Sequence, residues 1–458
     1  MKSLTGCVRH DNFIIKISSK YIKPSTGYDT CTVDLLTREV SAPASERARK
    51  TVFARRERLS AIPQRKSLSV DIVDAIRKVV GDGLHTVHEP HFGGNEWRHL
   101  KGCLDSTHVS SFGGYVERFE NELAAYTGAA YAVAVMSGSA ALHIALKIVG
   151  VSVGDEVLVP ALSFVATSNA VVYCGAVPHF VDSEECSLGI DPRALRDYLA
   201  QIAEYRSGGC VNRKTGRPIR ALVPFHVFGH PADINGLSDV AHDFGLKVVE
   251  NSAEALGSEI NGQHVGTFGS AGVISFNGNK IITTGGGGAV ITSDAALAER
   301  AKHLTTTARV QHRWEHRHDE VGYNYRLPSL NAALGCAQLE QLPKLLAAKR
   351  RLRERYVSAF ATVDGVRLLS EPTGSRSSYW VQTLILDRAD AGERDAVLAA
   401  TNDAGLMTRP LWALNHELPA FRDSPRMPLP VAESLELRLV NIPSSAQLAL
   451  EDAHWPSS

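Results

Sequence analysis

The sequence contains few cysteines, and none of them stands in a closely spaced pair. Seven cysteines are scattered along 458 residues without a CxxC motif. An odd number at wide spacing argues against a disulfide framework and against a zinc cluster, and it favours a reducing compartment. We therefore expect a cytoplasmic protein without a metal site.

The chain also lacks an excess of charge of one sign and a long apolar run. Its 49 Lys and Arg residues balance 49 Asp and Glu residues, so no global field attracts nucleic acid or a membrane surface. No apolar stretch reaches the roughly 18 residues that span a bilayer, and the N-terminus has no hydrophobic signal core. These features favour a protein that acts on a small molecule over one that binds nucleic acid or a membrane.

Residues 1–66 differ in composition from the rest of the chain. They contain 14 Lys or Arg against 6 acidic residues, and no clear periodicity follows the short FIIKI run. We predict a basic, poorly ordered extension. An arm that binds nucleic acid is the alternative.

From about residue 118 the hydrophobic pattern alternates between helices and strands. FENELAAYTG predicts a helix that ends at Gly128, YAVAVMSG a buried strand, and SAALHIALKIVG a helix that ends at Gly150. Further short apolar runs follow: GDEVLVPA, AVPHFVD, IRALVPFHVFG, LKVVENSA and GVISF. Continuous apolar strands separated by crossover segments are typical of a mostly parallel sheet covered on both faces. The predicted fold class is α/β.

The pattern changes after a long helical stretch that reaches about residue 358. VRLLS and YWVQTLIL predict strands, and one further helix is expected. We therefore predict a large lobe over residues 67–335 that contains the site and a smaller α+β lobe over residues 336–458.

One lysine, Lys280, lies between the apolar run GVISF and four consecutive glycines, Gly285 to Gly288. Glycines let backbone approach a ligand closely, and an amine removed from water has a lowered pKa. Such an amine can form a Schiff base with a carbonyl. The alternative is a surface lysine in a glycine-rich hairpin. The glycine run matches neither a P-loop nor a GxGxxG motif.

Three further stretches favour a cofactor that has a phosphate and a flat ring. Gly138 and Ser139 lie where a strand turns into a helix, and the free amides of a helix start bind phosphate; a simple N-cap by Ser137 or Ser139 is the alternative. Ser275 could add a hydroxyl to the same phosphate. Phe164 either stacks on a ring or belongs to the core. Pyridoxal 5'-phosphate (PLP) combines a phosphate, a planar ring and an aldehyde, and it is the predicted cofactor.

Seven blocks between about His88 and Ser445 resemble a known family: FENELAAYTG, SGSAALHIAL, GDEVLVPALSFVAT, GAVPHFVD, FHVFGHPADI, SFNGNKIITTGGGGAVITSD and GYNYRLPSLNAALGCAQLEQL. The chain resembles the DegT/StrS family of PLP-dependent sugar-nucleotide aminotransferases. This resemblance implies a fold-type I aminotransferase architecture, a homodimer with shared active sites, and L-glutamate and a nucleotide sugar as substrates.

Other segments are most similar to the LegC-type branch of that family: HEPHFGGNE, KHLTTTARVQH, SRSSYW, MTRPLWAL and RLVNIPSS. Members of that branch aminate the 4-keto group of a nucleotide-linked 2-acetamido-2,6-dideoxyhexose on the way to legionaminic acid or bacillosamine-type sugars. The resemblance implies a two-stage transfer, from glutamate to the cofactor and then to the sugar ketone.

The resemblance also assigns roles to individual residues. Lys280 becomes the lysine that binds the cofactor covalently and moves the proton. Gly138, Ser139 and Ser275 bind the cofactor phosphate, and Phe164 stacks on the pyridine ring.

Further roles follow at the edge of the cofactor and beyond it. Glu254 lies beside the phenolic oxygen of the cofactor, and Asn324 reaches across the dimer interface to the partner's phosphate. Arg326 and Arg409 either contact anionic substrate groups or form structural salt bridges.

Asn251 departs from the family pattern. The family has EDAA where this chain reads ENSA, so Asn251 replaces an aspartate that faces the pyridine nitrogen. A carboxylate keeps that nitrogen protonated, whereas asparagine cannot ionise. Glu250 is no ready substitute, because neighbouring strand residues point to opposite faces. The sequence leaves open a weaker electron sink, compensation by water or another acid, or reduced activity.

Three alternatives differ from this prediction. A dehydrase of the same family has histidine at the lysine position, so Lys280 argues against it. A non-catalytic regulator that binds PLP or a sugar nucleotide would be compatible with Asn251. An interaction protein would act through residues 1–66.

Overall fold

The structure is a computed structural model, and it describes four segments: residues 5–10, 13–18, 67–206 and 209–450. The chain divides into two units, residues 1–65 and residues 66–458. In the first unit, β1 (Thr5–His10) and β2 (Phe13–Ser18) form an antiparallel hairpin. The rest of the predicted extension lies outside the described residues, and its poor order stays a prediction.

The described part of the second unit contains eleven α-helices: α1 (Leu68–Val80), α2 (Glu96–Asp105), α3 (Gly114–Thr127), α4 (Gly138–Ile148), α5 (Ala166–Tyr173), α6 (Pro192–Ile202), α7 (Ile234–Phe244), α8 (Ala295–Thr305), α9 (Ser329–Phe360), α10 (Ala391–Asp403) and α11 (Pro430–Glu436). None of the described helices is both long enough and apolar enough to cross a membrane.

The same unit contains strands numbered from β3 onwards: β3 (Tyr131–Val135), β4 (Glu156–Pro160), β5 (Val177–Val181), β6 (Ala203–Arg206), β7 (Gly209–Asn212), β8 (Ile219–Leu222), β9 (Lys247–Asn251), β10 (Glu259–Ile260), β11 (Gln263–His264), β12 (Ala271–Ser275), β13 (Gly288–Thr292), β14 (Arg309–Val310), β15 (Arg317–His318), β16 (Val366–Leu368), β17 (Ser375–Arg376), β18 (Gln382–Leu386), β19 (Arg409–Pro410) and β20 (Leu439–Ile442).

Seven strands form the central sheet, in the order β3-β13-β12-β9-β8-β4-β5. Neighbouring strands from β12 to β5 pair in parallel, and β13 pairs antiparallel with β12 and with β3. Strands β4, β12 and β13 are buried along their whole length, as expected where helices cover both faces. The prediction of a mostly parallel α/β sheet is confirmed.

The strand order determines where the site lies. Six of the seven strands run in one direction, so the segments that follow β3, β4, β8, β9 and β12 meet at one edge. The loop after β12 turns directly back into β13, which makes β13 antiparallel. That loop, residues 276–287, contains Lys280.

Helix ends follow the predicted signals closely. Helix α3 ends at Thr127, and Gly128 adopts the left-handed conformation with φ 74°. Helix α4 ends at Ile148, two residues before Gly150, which has φ 92°. Glycine is favoured at such positions because it lacks a Cβ.

A second core forms around a four-stranded antiparallel sheet in the order β16-β18-β20-β19. Its buried residues come from that sheet, α1, the C-terminal half of α9, and α10. The predicted strands in VRLLS and YWVQTLIL are present, but two helices follow α9 where one was expected. Helix α9 crosses the predicted border at residues 335 and 336 and contributes to both cores, and α1 packs in the second one. The division into two lobes stays a prediction.

Candidate active site

A cavity of about 320 Å³ lies at the edge where the parallel strands end. The segments after β3, β4, β9 and β12 line it, together with two tryptophans from the C-terminal part of the chain. Seven residues predicted from the sequence are among those that line it: Gly138, Ser139, Phe164, Asn251, Glu254, Ser275 and Lys280. The fold therefore gathers most of the predicted site in one place.

Lys280 has the surroundings of a desolvated amine. Its Nζ atom lies 3.2 Å from Glu254 Oε1 and 3.8 Å from the centre of the Trp380 ring. The side chain is only 13% exposed. Burial lowers the Lys280 pKa, and the neighbouring Glu254 carboxylate opposes that effect. Such burial does not fit a surface lysine in a hairpin.

Glu254 is the acidic partner of that amine. Its second oxygen, Oε2, accepts a hydrogen bond of 3.0 Å from the backbone N–H of Phe228. Burial raises the Glu254 pKa, and Lys280 opposes that rise. Because the lysine pKa falls and the glutamate pKa rises, the two groups approach a common proton affinity. The two groups are also within hydrogen-bond distance of each other, so a proton has a direct path between them.

Trp380 and Trp412 line the cavity, and sequence reasoning missed both. The Trp380 indole N–H donates a 2.7 Å hydrogen bond to the Asn279 carbonyl, so this tryptophan holds the loop of Lys280 as well as its amine. Trp412 lies with its ring centre 6.0 Å from that of Phe164. Both tryptophans lie in segments that resemble the family, SRSSYW and MTRPLWAL, and this was the available signal.

Helix α4 begins at the cavity with a serine cap. Ser137 Oγ accepts a 3.1 Å hydrogen bond from the Ala140 N–H, so Ser137 is the N-cap and Ser139 lies in the first turn. The first amides of a helix have no partner within it, and they attract anions. The cap and the predicted phosphate cradle therefore coexist at Gly138 and Ser139.

Two glycines allow the strands to approach this helix start. A Cβ on Gly138 would lie 2.9 Å from Ser275 Cβ, and one on Gly288 would lie 2.6 Å from the Ser137 carbonyl oxygen. Real Cβ atoms do not come so close, so both positions require glycine. The hydroxyl of Ser275 consequently lies next to the free amides of α4.

Residues 91–455 match the DegT/DnrJ/EryC1/StrS aminotransferase family. The chain belongs to this family. It is a PLP-dependent aminotransferase, as predicted.

The similarity to individual relatives extends over most of their length. The chain is 36% identical to a GDP-perosamine synthase of Vibrio cholerae over 359 residues, which cover 78% of this chain and 93% of the relative. It is 33% identical to a UDP-N-acetyl-3-dehydro-alpha-D-glucosamine 3-aminotransferase of Acidithiobacillus ferrooxidans, covering 72% and 84%. The crystal structure of the aminotransferase TlmJ from Streptoalloteichus hindustanus matches with a TM-score of 0.71 at 30% identity, covering 79% and 94%.

These relatives narrow the sequence interpretation in two ways. Their names favour an aminotransferase over the dehydrase and regulator alternatives. They do not single out the LegC-type branch. The family assignment is confirmed, and the branch assignment is not.

The chemistry of the cavity fits the cofactor of the family. The buried amine of Lys280 suits its aldehyde, the free amides at the start of α4 suit its phosphate, and the aromatic side chains suit its ring. Phe164 lines this cavity and is 49% exposed. It is therefore not a core residue, which was the alternative considered for it.

Asn251 lies at the end of β9 with both amide atoms engaged. Its Nδ2 donates a 3.0 Å hydrogen bond to Thr167 Oγ1, and its Oδ1 accepts one of 3.1 Å from the Ala253 N–H. Glu250 faces away from it, as the alternation of strand side chains predicts. The Glu250 carboxylate accepts hydrogen bonds of 2.7 Å from three backbone N–H groups in residues 266–269.

Three predicted residues are not among those that line the cavity. Arg326 donates a 2.7 Å hydrogen bond to Glu120, which is the structural alternative considered for it. Arg409 is exposed and bonds to the Thr408 carbonyl. Asn324 is exposed as well, and its predicted contact with a partner's phosphate stays a prediction.

Proposed function

We propose that the enzyme moves an amino group from L-glutamate to the 4-keto group of a nucleotide-linked 2-acetamido-2,6-dideoxy-4-ketohexose. The product would serve nonulosonic acid or other surface-glycan synthesis. The aminotransfer is supported by the buried pair of Lys280 and Glu254, which lies in a cavity that also contains a helix start. A cytoplasmic location, expected from the scattered cysteines, belongs to the same proposal.

Lys280 is the residue through which the chemistry passes. PLP, when bound, supplies an aldehyde for an amine and a ring that accepts electrons. Lys280 Nζ acts first as a nucleophile, for which its lowered pKa is required. Lys280 would hold the cofactor through Nζ, and the same Nζ, when unbound, would be the group that moves a proton at the reacting centre.

Glu254 and Trp380 support Lys280 in this role. Glu254 Oε1 lies 3.2 Å from Nζ, where it can accept the proton that the amine must lose. The Trp380 face covers one side of Nζ and attracts the amine in its charged form, so it holds the side chain in place.

Cofactor binding is assigned to other residues that line the cavity. Gly138, Ser139 and Ser275 form the anion site that would position the cofactor phosphate. Phe164 would lie against the pyridine ring. Arg326 and Arg409 remain candidates for substrate anions only if the assembled enzyme brings them towards an active site.

A homodimer is part of the proposal. Large apolar side chains are exposed in one stretch of the chain, among them Phe92 at 55%, Trp97 at 77% and Phe112 at 62%. Exposed apolar side chains of this size support an interface with a partner. A second copy would cover these residues, and Asn324 would reach the neighbouring site.

Trp97→Asp is expected to weaken this dimer, because a carboxylate would be buried without a partner. Sedimentation velocity should show a shift from dimer to monomer at micromolar concentration. Val153→Asp is the matched control, since Val153 is 83% exposed in the turn before β4. A wild-type protein that sediments as a monomer would contradict the proposed assembly.

The catalytic proposal is tested with purified enzyme, PLP and L-glutamate. A panel of GDP- and UDP-linked 4-ketohexoses, with and without a 2-acetamido group, should include one that is converted to an amino sugar as 2-oxoglutarate forms. The relatives named above include one enzyme for a GDP sugar and one for a UDP sugar, so both carriers belong in the panel. Amination at C3 alone would overturn the proposed position, and no 2-oxoglutarate with any acceptor would overturn the reaction.

A further inference from the structure

The orientation of the Asn251 amide follows from its neighbours. The Ala253 backbone N–H can only donate, so the Asn251 atom 3.1 Å from it must be the carbonyl oxygen. The amide nitrogen then faces Thr167 Oγ1 at 3.0 Å. A flipped amide would place two donors against each other at Ala253.

This orientation leaves hydrogen-bond donors for a ligand. The NH₂ group of Asn251 has two hydrogens, and Thr167 Oγ1 accepts one of them. Asn251 and Thr167 are only 3% and 1% exposed, so water has little access to the second hydrogen. Asn251 nevertheless lines the cavity, and a buried donor of this kind favours an acceptor as its partner.

None of the described residues that line the cavity offers Asn251 a free negative charge that would stabilise a cation there. Among the described residues that line the cavity, Glu254 is the only acidic one, and it is bound to Lys280 and to the Phe228 N–H. Glu250 is turned to the backbone of residues 266–269 on the opposite face of β9. A protonated pyridine would therefore meet a donor and no counter-charge, which costs free energy.

We propose that this enzyme holds PLP with its ring nitrogen unprotonated, with Asn251 as the hydrogen-bond donor to that nitrogen. The Ala253 N–H sets the orientation of the amide, and Thr167 is a positioning residue that holds its nitrogen in place. The inference rests on the proposed place of the cofactor ring beside Asn251, and it resolves the three possibilities that the sequence left open in favour of a weaker electron sink. With a weaker electron sink, proton transfer depends more strongly on Lys280 and Glu254.

The protonation state is read directly with PLP labelled with ¹⁵N in the ring. Bound to the wild-type protein, the label should resonate at the position of an unprotonated, hydrogen-bonded pyridine across neutral pH. Asn251→Asp should move the resonance to the pyridinium position, because the new carboxylate stabilises the ring proton. The Thr167 hydroxyl can reverse its role and donate to that carboxylate, so this variant is expected to fold.

Thr167 is tested with a matched pair of variants. Thr167→Val removes the acceptor for the amide and should broaden or shift the ¹⁵N resonance, whereas Thr167→Ser should restore the wild-type signal. A merely structural role for Thr167 would change thermal stability and leave the resonance in place. Circular dichroism melting of each variant separates these effects.

The outcomes are distinct. A wild-type resonance at the pyridinium position would overturn the inference. An unprotonated resonance that Asn251→Asp does not move would show that Asn251 does not face the nitrogen, and it would overturn the inference equally. Loss of the label on gel filtration would contradict the proposed cofactor site itself, whereas retained label without amination of any sugar would leave this inference standing and contradict only the proposed substrate.

Discussion

Lys280 depends on one indole for both its position and its environment. The ring of Trp380 faces Nζ, and the indole N–H bonds to the carbonyl of Asn279, the preceding residue. The backbone of Trp380 is itself fixed, because the buried Lys349 amine donates a 2.6 Å hydrogen bond to its carbonyl. Burial lowers the Lys349 pKa, so that amine can remain there without a carboxylate.

Trp380→Phe separates the two contributions of the indole. The aromatic face remains, but the Asn279 carbonyl loses its donor, so we expect a loss of about 1 to 2 kcal/mol in unfolding free energy. Urea denaturation measures that loss, and amide hydrogen exchange should quicken in residues 277–280. Trp314→Phe is the control, since Trp314 is 70% exposed. Unchanged exchange in the variant would mean that the indole does not hold this loop.

Some residues of the site have a local sequence signal and others do not, which determines what the sequence can predict. Lys280 and the helix start at Gly138 were predictable because each has a local signal, a lone amine beside glycines and a strand-to-helix turn. Trp380 and Trp412 reach the same cavity from distant segments, through packing of the C-terminal part of the chain. No local pattern encodes such an approach.

Among the elements, β9 contributes to the site with both of its faces. Asn251 faces the cavity, while Glu250 on the other face accepts three backbone N–H groups of the turn that leads into β12. His226 contacts the same carboxylate at 3.1 Å. The turn thus fixes the start of β12, and the Lys280 loop follows directly after this strand.

Glu250→Gln should destabilise this turn. The amide NH₂ would replace one carboxylate oxygen, towards which one or two backbone N–H groups already point, so at least one buried donor loses its acceptor. We expect a loss of about 2 to 4 kcal/mol in unfolding free energy. Chemical denaturation measures it, with the partly exposed Glu259→Gln as control. Equal midpoints for the two variants would show that the carboxylate does not organise the turn.

The pattern of strands was predictable where strands are buried, because parallel strands in a covered sheet are continuous apolar runs. The two-residue strands, such as β10, β14 and β19, are too short to show any periodicity. The border between the two cores was not predictable from the sequence, because it lies within helix α9. Its 32 residues run through both cores, so no change of composition marks the point where one core ends.

Across the whole molecule, buried histidines make folding sensitive to acid. Burial lowers the pKa of His143 and of His264 to about 4 from the ordinary 6.5. Between those values the unfolded chain binds more protons than the folded one, so stability is highest above pH 6.5 and is lost as the pH falls towards 4. Each group contributes at most about 3 kcal/mol to this loss.

His143→Leu tests that origin. Among the described residues neither ring nitrogen of His143 has a hydrogen-bond partner, and its ring packs on Tyr323 at 4.8 Å between centres. An apolar side chain should therefore fit, and the loss of stability between pH 6.5 and pH 4 should shrink by about 1 to 2 kcal/mol. Urea unfolding at several pH values measures this slope. A slope equal to that of the wild type would assign the acid sensitivity to other groups.

The Lys280 amine is the group that we propose binds the cofactor, and borohydride reduction tests this directly. Protein saturated with PLP is reduced with borohydride, digested and analysed by peptide mass spectrometry, with Lys280→Ala treated in parallel. We expect one modified peptide in the wild type, with the added mass on Lys280, and none in the variant. Modification of another lysine, or a wild-type digest without any modified peptide, would contradict the account.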